Sequence, residues 1–257
     1  MLEGKRIIVT GAARGMGEAT LSAYVGSGAN VVAMDINEKM GKAVVGKIHE
    51  TGPGSAFFTH IDVADKNSVE QSFSKAVALL GGLDVLAHPA AIQAASGAVD
   101  VSVDHWDQMF AVNVRGTMLT NQAAYPYLKA EGGGAIINFG SISGQRAEPG
   151  AVAYSAAKGA VHSWTRSAAA SWGKDGIRVN AILPAMATPM YEEAMSKLSE
   201  EATTAAFWMN HQSIALGNKY GDPLTDLGPV MVFFASDASR FITGQLIPVD
   251  GGQTNTR

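Results

Sequence analysis

The chain has 257 residues, of which 47% are hydrophobic and 16% charged, so it can bury a sizeable core. Its 19 basic and 23 acidic residues give a formal net charge of −4 without a basic run, which argues against nucleic-acid or anionic-membrane binding. The lack of cysteine excludes disulfides, thiolate catalysis and cysteine-based metal sites. The apolar run Ile7–Val9 is too short for a signal peptide or a membrane span, so we expect a cytoplasmic protein.

Short apolar runs alternate with longer helical patterns along the whole chain. The runs predict strands at Arg6–Thr10, Asn30–Asp35, Ala56–Ile61, Leu83–Ala87, Gly134–Phe139, Arg178–Leu183 and Gln245–Val249. The intervening segments predict crossover helices, among them Gly15–Gly28, Asn67–Leu80, Val103–Lys129 and Val152–Lys174. This alternation predicts a single α/β domain over residues 1–257, a doubly wound, Rossmann-type sheet of about seven parallel strands with helices on both faces.

One segment, about 184–218, departs from the alternation before the last helix and strand. It is rich in methionine and contains Phe207 and Trp208. Because long excursions in compact domains are commonly functional, and because aromatic residues disfavour disorder, we expect this segment to form a substrate loop.

A glycine-rich turn follows the first predicted strand and opens a helix. In Thr10–Gly17 the glycines allow a sharp turn and a close approach of the backbone to a pyrophosphate at the helix N-terminus. Asp35 ends the second strand, where a carboxylate can bind the adenosine ribose hydroxyls and repel a 2′-phosphate. We therefore favour NAD over NADP, although Arg14 is a cation near the cradle that would favour the extra phosphate. A plain turn and a helix-capping acid are the alternatives.

A tyrosine and a lysine are spaced for one face of a helix. Tyr154 and Lys158 stand at i and i+4, so the ammonium can stabilise the tyrosinate. Free tyrosine has a pKa of about 10, and a neighbouring cation lowers it, which would make the phenol a usable acid/base. Taken alone, the pair could also be a buried aromatic beside an extended lysine.

Over essentially its whole length the chain resembles the short-chain dehydrogenase/reductase family in its compact, classical form. The resemblance rests on Thr10–Gly17, Asp62-Val63, Asn113-Val114, Ser141 thirteen residues before Tyr154, the Tyr154/Lys158 pair, and the ending Gly244–Gly252. It implies a nicotinamide-dependent oxidoreductase that interconverts a secondary alcohol and a ketone.

The resemblance also implies a role for each matching residue. Tyr154 would be the acid/base, Lys158 would lower the tyrosine pKa and hold the nicotinamide ribose, and Ser141 would bind the substrate oxygen. Asn113 would hold a water of a proton relay, and Thr188 would anchor the carboxamide. The predicted cofactor site comprises Gly11, Arg14, Gly15, Met16, Gly17, Asp35, Ile36, Asp62, Val63, Ala90, Pro184 and Thr188, together with Tyr154 and Lys158. No metal is expected.

Three positions depart from the family pattern. His88-Pro89-Ala90-Ala91 replaces Asn-Asn-Ala-Gly, so His88 either braces the sheet beside the cofactor or simply packs, and packing is favoured. Pro184-Ala185 replaces Pro-Gly in a stretch one residue shorter than usual, which affects the Thr188 contact. Gly140-Ser141 replaces Ser-Ser but keeps the serine at catalytic spacing.

The predicted substrate pocket is mostly apolar. Its candidate lining residues are Ile92, Gln93, Ile142, Met186, Met190, Tyr191, Phe207, Trp208 and Met209, although each could instead seal the loop against the core. Because the excursion offers no obvious cation for an anionic group, we expect an uncharged, bulky alicyclic or aromatic substrate, such as a hydroxysteroid. The small residues of Val152–Lys174, with Trp164 and Trp172 on one face, suggest a subunit interface, and the resemblance implies a homotetramer.

Two other functions are compatible with the fold. An NADPH-dependent carbonyl or 3-oxoacyl-carrier-protein reductase is favoured by Arg14 and opposed by Asp35. A non-catalytic nicotinamide-sensing protein would have no need of the intact proton-relay residues. An epimerase or dehydratase would have a longer chain and a different glycine spacing.

Overall fold

The structure is a computed structural model that describes residues 1–48, 52–196, 199–201, 203–204 and 211–254. It contains the strands β1 (Arg6–Thr10), β2 (Asn30–Asp35), β3 (Ser55–His60), β4 (Val85–His88), β5 (Gly134–Phe139), β6 (Ile177–Pro184) and β7 (Leu246–Val249). These form one parallel sheet in the order β3-β2-β1-β4-β5-β6-β7. The predicted strands agree with the observed ones to within two residues at each end.

Helices cover both faces of the sheet. They are α1 (Gly15–Gly26), α2 (Glu38–Ile48), α3 (Lys66–Leu80), α4 (Val103–Phe110), α5 (Gly116–Ala130), α6 (Val152–Trp172), α7 (Pro189–Met195) and α8 (Gly228–Ala235). Alternate strand residues enter opposite cores: Ile7 and Val9 of β1 join the cluster with α1 and α8, whereas Ile8 joins the one with α3 and α5. A sheet buried on both faces explains why its strands are continuous apolar runs, and the predicted fold class is confirmed.

The strand order reverses beside β1, which pairs with β2 on one side and with β4 on the other. In doubly wound sheets, ligands bind at such a switch point, outside the carboxyl ends of the strands. The loops after β1 and β4 therefore define the cleft in which a cofactor is expected.

The single helix predicted over Val103–Lys129 is wrong. The structure divides it into α4 and α5 around a wide π-helical turn, Ala111–Arg115. Within this turn the side chain of Asn113 is drawn to the main chain of Ile92, donating at 2.8 Å and accepting at 2.9 Å. The interruption therefore reflects a bond to a distant segment, which helical periodicity does not reveal.

The two tryptophans predicted to face another subunit pack within the chain. Trp164 and Trp172 form an edge-to-face pair with centroids 6.1 Å apart, and Trp172 also contacts Tyr125 of α5 at 5.0 Å. Trp164 Nε1 donates to Asn121 Oδ1 of α5 at 2.9 Å. These contacts join α6 to α5, and the packing of this face against another subunit stays a prediction. None of the helices in the described ranges has the length and apolarity that a membrane crossing requires.

Candidate active site

Tyr154 and Lys158 lie together on α6, one turn apart. The Nζ of Lys158 is 5.6 Å from the centroid of the Tyr154 ring and donates to the main-chain oxygen of Phe139, the last residue of β5, at 2.7 Å. Ser141 follows β5, and its side chain lies close enough to the Tyr154 hydroxyl to affect the pKa of the phenol. The structure therefore brings the predicted serine, tyrosine and lysine together at the carboxyl end of the sheet.

Burial controls the protonation of this trio. Burial raises the pKa of Tyr154 to about 12, while the nearby Ser141 side chain acts in the lowering direction. Burial lowers the pKa of Lys158 to about 8. The pKa of Tyr154 in the cofactor-free protein is therefore raised where the sequence predicts a lowered value, because burial desolvates the phenol. In this state the phenol is protonated at neutral pH. The lowering of this pKa by Lys158 in the cofactor complex stays a prediction.

Asn113 makes further contacts besides its two hydrogen bonds with the main chain of Ile92. Its Nδ2 also lies 2.9 Å from the Sδ of Met109, and its main-chain oxygen accepts from Thr117 Oγ1 at 2.7 Å. Asn113 is 1% exposed, so these contacts fix it firmly. The side chain thereby holds the segment after β4, a role that its spacing did not suggest. Its part in a proton relay stays a prediction.

The glycine-rich turn fits a dinucleotide phosphate. A Cβ on Gly11, whose φ is +62°, would lie 2.7 Å from Ala90 Cα, and one on Gly17 would collide with the Gly11 main chain. Arg14 precedes α1 without capping it through its side chain, so the first-turn amides of α1 stay available to an anion. Thus the turn is tight, close to the β4 loop, and positively polarised at a helix N-terminus.

Two acidic residues, Asp35 and Asp62, lie at the ends of β2 and β3, where the adenosine is expected. The carboxylate of Asp35 accepts from the main-chain amides of Ala13 at 3.0 Å and Asn37 at 2.8 Å, which holds it against the glycine-rich turn. Asp62 accepts from Ala64 N at 2.9 Å, and Val63 packs against Gly116. The side chain of Ile36 is exposed, as a lining residue of an open cleft would be.

Arg14 contacts the opposite wall of the cleft. Its Nη1 lies 3.5 Å from Glu193 Oε1 on α7, and both side chains are about half exposed. The cation that could favour NADP is therefore partly neutralised by a carboxylate from the excursion. Met16 packs against the core cluster on this face of the sheet, behind the turn.

His88 braces the sheet, so the favoured interpretation that it merely packs is wrong. Its Nδ1 is 2.7 Å from Thr10 Oγ1 and 3.2 Å from Thr120 Oγ1, which links β4 to the glycine-rich turn and to α5. Burial, with a smaller contribution from Lys158, lowers the pKa of His88 to about 3. The imidazole is therefore neutral and occupies the position of the family's first asparagine as a hydrogen-bonding group.

The segment after β6 reaches the glycine-rich turn despite its short length. Pro184 ends β6, and Ala185 and Ala187 exchange main-chain hydrogen bonds with Gly221 at 3.0 and 2.9 Å. A Cβ on Gly15 would lie 3.9 Å from Thr188 Cβ. Thr188 is therefore placed beside the turn, and its Oγ1 accepts from Tyr191 N at 3.3 Å at the start of α7.

The predicted substrate-pocket residues divide into three groups. Ile92 packs with Tyr154 around Met109, Ala153 and Ala157, Ile142 lies in the short helix after Ser141, and Gln93 is exposed. Met186 is 8% exposed and belongs to the core cluster, so it seals the core rather than lining an open pocket. Phe207, Trp208, Met209 and the side chain of Met190 lie outside the described residues.

Several supporting groups escaped the sequence analysis. The main-chain oxygen of Phe139 holds Lys158, and no residue type marks such a carbonyl. Asn138 and Asn121 exchange two amide hydrogen bonds of 3.0 Å, and Asn138 also donates to Thr165 Oγ1 at 3.1 Å. An asparagine in the middle of an apolar strand is the signal that could have identified this network, since a buried amide needs partners.

The family is decided by a comparison with known protein families. The family model described as "Enoyl-(Acyl carrier protein) reductase", adh_short_C2, matches residues 11–254, which is nearly the whole chain. The chain belongs to the short-chain dehydrogenase/reductase family. Members of this family bind a nicotinamide cofactor and act on CH–OH groups, in agreement with the cradle and the serine–tyrosine–lysine arrangement described above.

Individual members of the short-chain dehydrogenase/reductase family align along nearly their full length. The chain is 36% identical to a 2,5-dichloro-2,5-cyclohexadiene-1,4-diol dehydrogenase of Sphingobium indicum, covering 98% of this chain and 96% of that one. It is 34% identical to the 3-oxoacyl-[acyl-carrier-protein] reductase of Thermotoga maritima, with 98% of each covered. The crystal structure of levodione reductase superposes with a TM-score of 0.90 at 27% identity, again covering 98% of each chain.

Within the described ranges, no group of three or more histidine and acidic side chains is placed to hold a metal ion.

Proposed function

We propose that this short-chain dehydrogenase/reductase is an NAD-dependent enzyme that interconverts an uncharged, bulky alicyclic alcohol and its ketone. The observation that carries the proposal is the placement of the Ser141 side chain next to Tyr154 and beside Lys158, which is itself tied to the end of β5. Two hydroxyls and a cation then converge where the substrate oxygen of a hydride-transfer reaction would lie.

Each residue has a distinct task in this proposal. When bound, the nicotinamide would supply the hydride acceptor or donor. The protein orients the substrate and transfers protons to and from it. Ser141 donates to the substrate oxygen as negative charge develops on it, while Tyr154 gives its proton to that oxygen or takes one from it. Lys158, with its pKa near 8, can pass a proton onward close to neutral pH. Asn113 would hold the water that connects Lys158 to bulk solvent.

The cofactor residues favour NAD. Asp35 presents a carboxylate at the end of β2, fixed by two main-chain amides, where a 2′-phosphate would meet its negative charge. Arg14, the competing cation, has Glu193 as a neighbour at 3.5 Å. The glycine-rich turn would hold the pyrophosphate, Asp62, Val63 and Ile36 the adenosine, and Ala90, Pro184 and Thr188 the nicotinamide side, together with Tyr154 and Lys158.

The substrate class rests on the surroundings of Tyr154 and on one relative. The apolar cluster that contains Ile92 and Tyr154 also includes Val101, Phe110 and Val114. The named substrate of the Sphingobium indicum relative is an uncharged cyclic diol. A ring-containing secondary alcohol without a carboxylate or phosphate suits such a wall.

The proposal also covers the domain organisation, the cellular location and the oligomeric state. We propose one dinucleotide-binding domain over residues 1–257 and a cytoplasmic homotetramer. An apolar surface cavity of about 850 Å³ between α4, α5 and α6, lined by Phe110, Val114, Met118, Val161 and Trp164 among others, supports burial against another subunit. Sedimentation of a purely monomeric species would contradict the tetramer.

The decisive experiment is an absorbance screen of alicyclic alcohols with NAD and of the corresponding ketones with NADH, using the full chain. The Tyr154→Phe variant is the control, because it keeps the ring but removes the hydroxyl. We expect turnover by the wild type, and an unchanged cofactor dissociation constant with a loss of at least about a hundredfold in kcat for the variant. Full activity of Tyr154→Phe would refute the assignment.

A second candidate, a carrier-protein-linked or other carbonyl reductase, is favoured by the protonated phenol, which suits reduction, and by the Thermotoga maritima relative. Faster reduction with NADPH than with NADH, on a 3-oxoacyl thioester rather than a cyclic ketone, would establish it. Cofactor binding without turnover of any alcohol or ketone would instead favour the nicotinamide-sensing alternative.

A further inference from the structure

A third polar side chain lies on the catalytic face of α6. His162 follows Lys158 by four residues and Tyr154 by eight, so the three side chains are stacked along one side of the helix. His162 is 3% exposed, and its Nε2 accepts the main-chain N–H of Ser141 at 3.3 Å. A buried imidazole therefore contacts the backbone of Ser141, whose side chain lies beside Tyr154.

Two glycines make room for this imidazole. A Cβ on Gly140 would lie 2.5 Å from His162 Nε2, and a Cβ on Gly144 would lie 2.7 Å from His162 Cε1. Real Cβ atoms do not approach this closely, so the ring excludes a side chain at Gly140. At Gly144 the main chain of α6 excludes one as well, with Gly159 N and Lys158 C both 2.8 Å from such a Cβ. Gly140 is the residue that replaces the first serine of the family's Ser-Ser pair, so this departure has a physical partner on α6.

The bond requires a neutral imidazole with a free lone pair on Nε2. Burial, followed by the charges of Lys158 and Arg166, lowers the pKa of His162 to about 4, which keeps the ring neutral at neutral pH. On its other side, the Ser141 Oγ accepts from Ser143 N at 3.1 Å. Ser141 is therefore held at two atoms, the amide by His162 and the hydroxyl oxygen by the turn that begins at Ile142.

We propose that His162 is a positioning residue that acts through Ser141, and that Gly140 is small because it houses the imidazole. The proposal rests on the function proposed above for Ser141. By fixing the Ser141 amide, the imidazole sets the direction of the serine hydroxyl toward Tyr154 and the substrate oxygen. Loss of the acceptor frees the backbone at this point and misaligns the hydroxyl, which affects the chemical step more than cofactor binding.

The first test compares two substitutions of the histidine in the full chain, with the fastest alcohol from the screen. The Oε1 of glutamine can occupy the position of Nε2, whereas leucine has similar bulk and no acceptor. We expect His162→Leu to lower kcat about tenfold with unchanged NAD affinity and unfolding midpoint, and His162→Gln to recover most of it. Equal kcat values for His162→Leu and wild type, or equal losses in both variants, would overturn the proposal.

The second test uses the glycine and remains informative if His162→Leu folds poorly. Gly140→Ala should displace the imidazole and lower kcat, while Gly140→Ala combined with His162→Ala should cost less than the sum of the two single changes. Strictly additive losses would contradict the coupling. The Ser141→Ala variant distinguishes the proposed role of the serine from the proposed role of His162. If Ser141→Ala keeps its activity, the role of the serine is refuted. If Ser141→Ala loses activity while His162→Leu keeps it, only the role of His162 is refuted.

Discussion

Lys158 donates from its Nζ to the main-chain oxygen of Phe139 at 2.7 Å, so the ammonium is anchored to the carboxyl end of β5. The side chain is 3% exposed, and a single carbonyl is weak compensation for a buried charge. This explains why the pKa of Lys158 is lowered to about 8. The fold thus accepts an energetic cost to keep a proton-exchanging amine one helical turn from Tyr154, a common trade at functional sites.

This arrangement predicts that the cofactor-free protein becomes more stable between pH 8 and pH 10. In that window the unfolded chain binds a proton at Lys158, with a pKa of 10.5, that the folded chain has largely released. The free energy of unfolding therefore rises with pH, and the penalty of the charged amine, about 3 kcal/mol, is fully present only below about pH 8. Urea denaturation at a series of pH values measures this.

Lys158→Met is the matched control for that titration, since it keeps the bulk and removes the amine. Its unfolding free energy should lack the rise between pH 8 and pH 10. The measurement stops at pH 10 because the raised pKa of Tyr154 lowers folded-state stability above its unfolded value of 10.0. An identical slope in wild type and variant would mean that Lys158 is not the responsible group.

The strand and helix pattern of the sheet was accessible from sequence because each strand is buried on both faces, which makes apolar runs its direct signature. The motif residues Ser141, Tyr154 and Lys158 were accessible because spacing on a helix and a family resemblance both point to them. What was not accessible depends on contacts between distant segments. The break at Asn113 depends on Ile92, and the bracing by His88 depends on Thr10 and Thr120.

The protonation of Tyr154 illustrates a different limit. The spacing to Lys158 correctly indicates a cation nearby, but the sign of the pKa shift is set by how much water the fold removes from the phenol. Burial is a property of the assembled cluster of Ile92, Met109 and Ala153 around the ring, not of the local sequence. Periodicity can place two groups next to each other, but it does not tell whether burial or the neighbouring charge determines their pKa values.

His88 predicts an acid sensitivity. Its folded pKa is lowered to about 3 from 6.5, so stability is intact above pH 6.5 and is lost as the pH falls toward 3, because the unfolded chain takes up the proton first. We expect His88→Asn to lose about 2 kcal/mol less stability than wild type between pH 7 and pH 4.5. The comparison uses urea denaturation at both pH values, with His60→Asn at an exposed position as the matched variant. The same acid loss in all three proteins would exclude His88 as the source.

Asp35 predicts the direction of cofactor selection. Asp35→Asn keeps an acceptor oxygen and removes the charge, whereas Asp35→Ala removes both. If repulsion of a 2′-phosphate dominates, both variants should lower the ratio of kcat/KM with NAD to that with NADP by at least about tenfold. Steady-state rates with each cofactor decide this. A lowered ratio in Asp35→Ala alone would assign selectivity to hydrogen bonding, and an unchanged ratio in both would refute the role of Asp35.

The buried amide pair of Asn121 and Asn138 predicts a large and coupled loss of stability. The two side chains exchange hydrogen bonds of 3.0 Å between α5 and β5, and both are 0% exposed. Asn138→Leu would leave the Asn121 amide short of partners, which costs about 2–3 kcal/mol of unfolding free energy.

The double change Asn121→Leu/Asn138→Leu is the sharper measurement, because it removes both partners instead of stranding one. The loss of unfolding free energy in the double variant, measured by urea denaturation, should be smaller than the sum of the losses in the two single variants. Each single variant leaves one buried amide unpaired, whereas the double variant leaves neither. Trp164 Nε1, which donates to Asn121 Oδ1 at 2.9 Å, would still lose its acceptor, so full recovery is not expected. Additive losses would show that the two amides stabilise the fold independently, and that this pair does not join β5 to the helices that carry the catalytic residues.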